Sequence, residues 1–131
     1  EHFNAPRYLD CCGLVRQALR DLKEDFGFCV GPWNQAYQFD TLPVRYGSHE
    51  DLQPGDLIFC EGSYIKPKSK RQKHDMVHVE IFLGGETGEA TVGARWNKET
   101  IQVFDSYKFT PKSWTLGQYH FCSISTWLEG V

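Results

Sequence analysis

The chain has 131 residues, of which 40% are hydrophobic and 24% are charged, so we expect one globular domain, residues 1–131, with a full core. The formal net charge of −3 at pH 7 gives no general attraction to nucleic acid or to anionic membranes. No stretch approaches the ~20 apolar residues that a membrane span requires. The sequence starts at Glu1 with neither an initiator methionine nor a recognisable secretory signal, which favours a domain excised from a longer chain.

The cysteines indicate free thiols rather than a disulfide framework or a metal site. There are five, an odd and scattered set: Cys11, Cys12, Cys29, Cys60 and Cys122. No pair has the CxxC spacing of a zinc site. Free thiols favour a reducing intracellular compartment.

The first predicted element is a helix over Asp10 to Phe26. Asp10 is a suitable N-cap because its carboxylate can accept hydrogen bonds from the first turn, and Gly27 is a suitable end. The apolar residues recur at helical spacing on one stripe: Cys11, Val15, Ala18 and Leu22.

The next elements are mainly strands. Residues 29–51 are predicted to be a long surface connection with a short helical turn near Asn34 to Phe39. Five segments favour strands: Asp56–Glu61, Val77–Leu83, and residues 89–96, 101–107 and 119–125. A helix followed by antiparallel strands predicts an α+β fold.

The doubled cysteine at the helix start is the first candidate for chemistry. The N-terminal end of a helix lowers the pKa of a thiol, and its free N–H groups can hold an oxyanion, so Cys11 is a candidate nucleophile. His78, in the interior of a predicted strand, is the candidate base. On pattern alone, a cysteine on an apolar stripe is a core residue in about 70% of cases, and a strand histidine is more often structural too.

Three segments in order resemble those of the NlpC-like cell-wall cysteine peptidases. Residues 10–15, DCCGLV, resemble the DCSGLV signature, and residues 52–59, LQPGDLIF, resemble LQPGDLVFF. Residues 78–84, HVEIFLG, resemble the HVGIYLG strand. The resemblance implies a papain-like α+β core, in which the N-terminal helix that carries the cysteine packs on an antiparallel sheet of about five strands. It also implies Cys11 as nucleophile and His78 as general base, with Cys12 replacing a serine.

The third catalytic position departs from that family. Folding residues 77–83 back on residues 89–96 puts Gly93 or Ala94 opposite His78, and neither can orient an imidazole. Glu80 and Asn97 are the candidates for this role. Glu80 is more simply interpreted as a solvated strand residue, since exposed carboxylates are common.

Other candidate residues concern the substrate. Tyr8 and Asp10 lie beside the cysteine, and Lys70 and Arg71 lie in a basic loop, residues 66–73, just before the strand of His78. Such a run is usually only a solvated loop, but beside a cleft it would attract an acidic substrate.

The sequence therefore predicts a monomeric cysteine peptidase or amidase that cleaves an amide or isopeptide bond through a thioester. We expect neither a metal nor a cofactor, because nucleophilic catalysis by a thiol needs none. Two alternatives stay open. One is a thiol acyltransferase of related fold, and the other is a non-catalytic binding module whose triad has decayed.

Overall fold

A computed structural model describes residues 11–21, 35–65, 76–95, 101–111 and 114–129. The helices are α1 (Cys11–Asp21), α2 (Gln35–Asp40) and α3 (Ser125–Glu129), with a single 3-10 turn at His49–Asp51. The strands are β1 (Arg45–Tyr46), β2 (Leu57–Tyr64), β3 (Met76–Gly84), β4 (Ala90–Ala94), β5 (Ile101–Phe104) and β6 (Trp114–Cys122).

The six strands form one antiparallel sheet in the order β1-β6-β2-β3-β4-β5. The last strand, β6, lies between β1 and β2, so the sheet is not a simple meander. Its long middle strands are rich in β-branched and aromatic residues, which suit a pleated surface that is covered on both sides.

One face of the sheet carries the short helices and the largest apolar core. Alternate residues of β2 and β3 point to this face, among them Leu57, Phe59 and Val79. They pack against one or more side chains from each helix and from the loop after α2: Val15, Phe39, Leu42 and Trp127. Since α1 lies over β3 and β4, this face is the helix side of the sheet.

The opposite face is covered by the chain's own aromatic residues. Here Ile58 and Phe82 pack with Tyr107, and Cys60 packs with Trp114. The segment after β5 supplies Phe109 to the same cover. The residues that β2 and β3 turn away from the helices are therefore also buried, and this is the face that holds His78.

The predicted fold class is wrong. The structure is mostly a six-stranded antiparallel sheet, and its helices are short, at 11, 6 and 5 residues. It is not a papain-like α+β core built around an N-terminal helix. The physical reason is that the short helices cover only one face of the sheet, while aromatic side chains cover the other.

Several predicted elements do occur, with shifted bounds. The strand predicted over Val77–Leu83 is β3, Met76–Gly84, and the helical turn near Asn34 to Phe39 is α2. The last strand begins at Trp114 instead of residue 119. Its first half was missed because residues 115–118 are exposed and include a glycine, so they lack the apolar alternation that indicates a strand.

Candidate functional site

His78 and Glu80 share the aromatic face of β3, two residues apart. Side chains at that spacing point the same way from a strand, and Nε2 of His78 lies 2.8 Å from Oε2 of Glu80. Both residues are buried, and Glu80 is only 2% exposed. Because an ionised carboxylate can only accept, the imidazole Nε2–H is the donor of this bond.

Glu80 is also held by Arg95 and Thr91. Arg95 Nε donates to Oε2 at 2.5 Å, and Arg95 Nη2 donates to Oε1 at 2.8 Å. The Thr91 hydroxyl donates to Oε1 at 2.5 Å. The carboxylate therefore accepts a two-pronged guanidinium contact, which is the geometry of the strongest ion pairs in proteins.

Aromatic rings enclose two of the donors to Glu80, the guanidinium of Arg95 and the imidazole of His78. The Arg95 guanidinium lies 3.8 Å from the ring centroid of Phe104 and 3.9 Å from that of Phe109. Phe109 also meets the His78 ring edge-on, with centroids 5.5 Å apart, and Trp114 lies on the same ring at 6.0 Å. These contacts exclude water and hold the imidazole in one orientation.

The backbone of β4 is shaped to admit the carboxylate. β3 and β4 pair Ile81 with Val92 and Phe82 with Thr91, which brings Gly93 beside Glu80. A Cβ atom on Gly93 would lie 2.9 Å from Cγ of Glu80. The prediction that Gly93 or Ala94 lies opposite His78 is thus wrong, since Gly93 instead provides the space that Glu80 occupies.

The electrostatics of the cluster favour an ionised Glu80. Burial by itself raises the pKa of a carboxyl group, but hydrogen bonds from Arg95 and His78 outweigh it and hold the pKa of Glu80 below its ordinary value. The expectation that Glu80 is a solvated strand residue is wrong, because it is a buried anion with three side-chain partners.

The structure places a second cysteine directly across from His78. Cys60 of β2 is its partner in the β2–β3 register, and Cys60 is a buried free thiol. Burial raises the pKa of Cys60 far above its usual range, and the negative charge of Glu80 adds to the effect. Because the thiolate is the reactive form, Cys60 is an inert core residue despite its position.

Cys11, the predicted nucleophile, is the first residue of α1. Its side chain is outside the described part of the structure. One turn later, Val15 packs with Val79 on the helix side of the sheet, whereas His78 lies on the aromatic side. α1 thus packs on the face of the sheet opposite to the one that holds the His78 ring.

The remaining predicted site residues fall outside the described residues. These are Tyr8, Asp10, Lys70, Arg71 and Asn97, together with the rest of the basic loop. Of the predicted candidates for the catalytic site, the structure brings together His78 and Glu80.

A second imidazole–carboxylate pair lies on the helix side. Nε2 of His120 on β6 is 2.9 Å from Oε1 of Glu61 on β2, and the two side chains are 20% and 36% exposed. The His120 ring also meets Phe39 of α2 edge-on, at 5.2 Å. This pair was missed in the sequence because its residues are 59 positions apart and only the β2–β6 register joins them.

The sequence itself indicates the ion pair between Arg95 and Glu80, although the pair is not among the predictions above. Arg95 is the one charged residue of the run ATVGARW, and Glu80 is the one charged residue of VEIFL. Charged residues are rarely buried unless they are paired. Single opposite charges on two neighbouring apolar strands thus indicate a buried ion pair.

Within the described ranges, no helix is both long and apolar enough to cross a membrane. No group of three or more His, Cys, Asp and Glu side chains suited to a metal ion occurs among the same residues. Comparisons with protein-family models, curated proteins and solved structures find no match to this chain. The resemblance to NlpC-like peptidases therefore rests on its three short segments.

Proposed function

We propose that the chain is a cysteine hydrolase that cleaves an amide or isopeptide bond, with Cys11 as nucleophile and His78 as base. The observation that supports this most is the buried hydrogen bond from His78 Nε2 to Glu80 at 2.8 Å. A carboxylate that accepts from one ring nitrogen fixes the tautomer and leaves the other nitrogen to take a proton, as in a catalytic triad.

In this reaction Nδ1 of His78 takes the proton of the Cys11 thiol. The sulfur attacks the carbonyl carbon, a C–S bond forms and the C–N bond breaks as His78 passes the proton to the leaving amine. Water then attacks the thioester carbon as His78 takes one of its protons. The new C–O bond replaces the C–S bond, the carboxylic acid leaves, and the thiol is restored when the proton passes from His78 to sulfur. Within the described residues Nδ1 has no hydrogen-bond partner that would compete for this role.

A second candidate is a non-catalytic binding module. Its support is the burial of His78, which is 4% exposed and enclosed by Phe109 and Trp114. A histidine in such a place can serve stability alone, because an imidazole that bridges a carboxylate and aromatic rings completes a packed core.

The pH dependence of Cys11 alkylation, followed by mass spectrometry, distinguishes the two candidates. For a hydrolase we expect Cys11 to be labelled with an apparent pKa well below the ~8.5 of a free thiol. His78→Gln should move this profile toward that of a free thiol. His120→Gln is the matched control, because it removes a carboxylate-paired imidazole on the opposite face of the sheet and should leave the profile unchanged.

If Cys11 instead reacts as an ordinary thiol and neither variant alters its profile, the hydrolase is excluded and the binding module remains. Cys60 serves as an internal reference in the same spectra, since its buried thiol should stay unlabelled in the folded chain.

A further inference from the structure

Arg95 holds Glu80 more completely than a simple ion pair requires. Its Nε and Nη2 atoms donate to different oxygens of the carboxylate, at 2.5 and 2.8 Å. Nη2 also donates to the backbone carbonyl of Ser106 at 2.6 Å. Since Phe104 and Phe109 pack against the guanidinium as well, Arg95 itself has little freedom to move.

These contacts occupy the lone-pair sites of the Glu80 carboxylate. A carboxylate has about four lone-pair sites. Oε1 accepts from Thr91 and Arg95, and Oε2 accepts from Arg95 and His78. The carboxylate cannot rotate without breaking bonds on both oxygens, so the lone pair that faces His78 is fixed in space.

We propose that Arg95 is a positioning residue, which keeps Glu80 ionised and oriented so that His78 bears its proton on Nε2 and leaves Nδ1 bare. The consequence for catalysis rests on the proposed function, because only a bare Nδ1 can accept the proton of a thiol. The positioning itself is a property of the folded chain and can be measured without substrate.

The sign of the effect follows from the burial of Glu80. Without Arg95, the buried carboxylate loses its strongest partner, and a proton then stabilises the cluster. That proton resides either on Glu80, whose O–H then donates to Nε2 and leaves Nδ1 protonated, or on the imidazole, which is then protonated on both nitrogens. In both arrangements Nδ1 gains a proton, whereas a Glu80 O–H that turned to Thr91 would leave Nδ1 bare and Arg95 without this role.

The test is ¹⁵N NMR of the histidine rings at about pH 7, which reports which ring nitrogen carries a proton. In the unaltered chain we expect His78 Nε2 to be protonated and Nδ1 to be bare. In Arg95→Gln we expect Nδ1 to become protonated. Retention of a bare Nδ1 in a folded Arg95→Gln chain would overturn the inference.

Arg45→Gln is the matched control. Arg45 also stacks on an aromatic ring, 3.8 Å from the centroid of Phe39, and donates to the backbone carbonyls of Phe39 and Leu42. Among the described residues it has no carboxylate partner. The Arg45→Gln substitution should leave the ¹⁵N spectrum of His78 unchanged. If it changes that spectrum as much as Arg95→Gln does, the effect is a general loss of packing and the inference is overturned.

If Arg95→Gln does not fold, two measurements on the unaltered chain test the inference instead: the ¹⁵N spectrum of His78 and the hydrogen exchange of Arg95. A bare Nδ1 on His78, together with an Arg95 Nε–H that exchanges slowly with solvent, supports the inference. A proton on Nδ1, or an Nε–H that exchanges at the rate of an exposed arginine, overturns it. Cys11 alkylation in the same samples separates the two claims, since a positioned His78 beside an ordinary Cys11 thiol would exclude the hydrolase alone.

Discussion

The two imidazole–carboxylate pairs of this sheet have nearly the same bond and very different surroundings. His78 and Glu80 lie 2.8 Å apart and His120 and Glu61 lie 2.9 Å apart. The first pair is buried and tied to Arg95, whereas the second is partly exposed and has no guanidinium partner among the described residues. Bond length alone therefore does not distinguish the two histidines, whereas the other partners of each carboxylate do.

The largest difference between the pairs should appear on removing each carboxylate charge. Glu80→Gln leaves the buried Arg95 guanidinium without its anion, which should lower the free energy of unfolding at pH 7 by about 3–5 kcal/mol. Urea unfolding followed by tryptophan fluorescence measures this. A loss below 1 kcal/mol would mean that water reaches the Glu80 cluster, and that Glu80 is held no more tightly than Glu61.

The same variant should also change how stability depends on pH. Because the folded-state pKa of Glu80 is lowered, its contribution is present above the unfolded value near 4.5 and is lost as pH falls through the folded pKa. Unfolding curves of the unaltered chain and Glu80→Gln should thus differ most near pH 7 and converge in acid. A difference between the two curves that does not shrink below pH 4 would contradict an ionised Glu80.

A smaller effect is expected from filling the space beside Glu80. Gly93→Ala puts a methyl group 2.9 Å from Cγ of a side chain that is bonded at both oxygens and cannot move away. We expect a loss of about 1–3 kcal/mol in the free energy of unfolding, measured in urea. Gly47→Ala is the control, since its Cβ would meet nothing within 4 Å. Equal effects of the two variants would contradict a steric clash with Glu80, because only the Cβ at position 93 would meet that side chain.

Part of this site follows from the sequence and part does not. Strand alternation predicts that His78 and Glu80 share a face, and it predicts β3 to within one residue at each end. Alternation does not show how that face is covered. The aromatic cover by Phe109 and Trp114 depends on segments remote from β3, so the burial of Glu80 was not foreseen.

The sequence also does not give the register between neighbouring strands. A shift of one or two residues in the β3–β4 register decides whether Gly93 faces His78 or Glu80, and hence whether Arg95 reaches the carboxylate. The fold class failed for a related reason. Three short segments resemble a family, but they fix neither the strand order nor the balance of helix and sheet.

The smallest effect is expected at the second pair. Glu61→Gln removes a charge that is 36% exposed, so solvent already screens its contact with His120. We expect the free energy of unfolding at pH 7 to fall by less than about 1 kcal/mol, and the loss to shrink further in 1 M salt. Urea unfolding of the unaltered chain and of Glu61→Gln, at low salt and in 1 M salt, measures the loss and its salt dependence. A loss as large as that of Glu80→Gln and independent of salt would show that Glu61 is as tightly held as Glu80, and His120 would then be an equal candidate for the base.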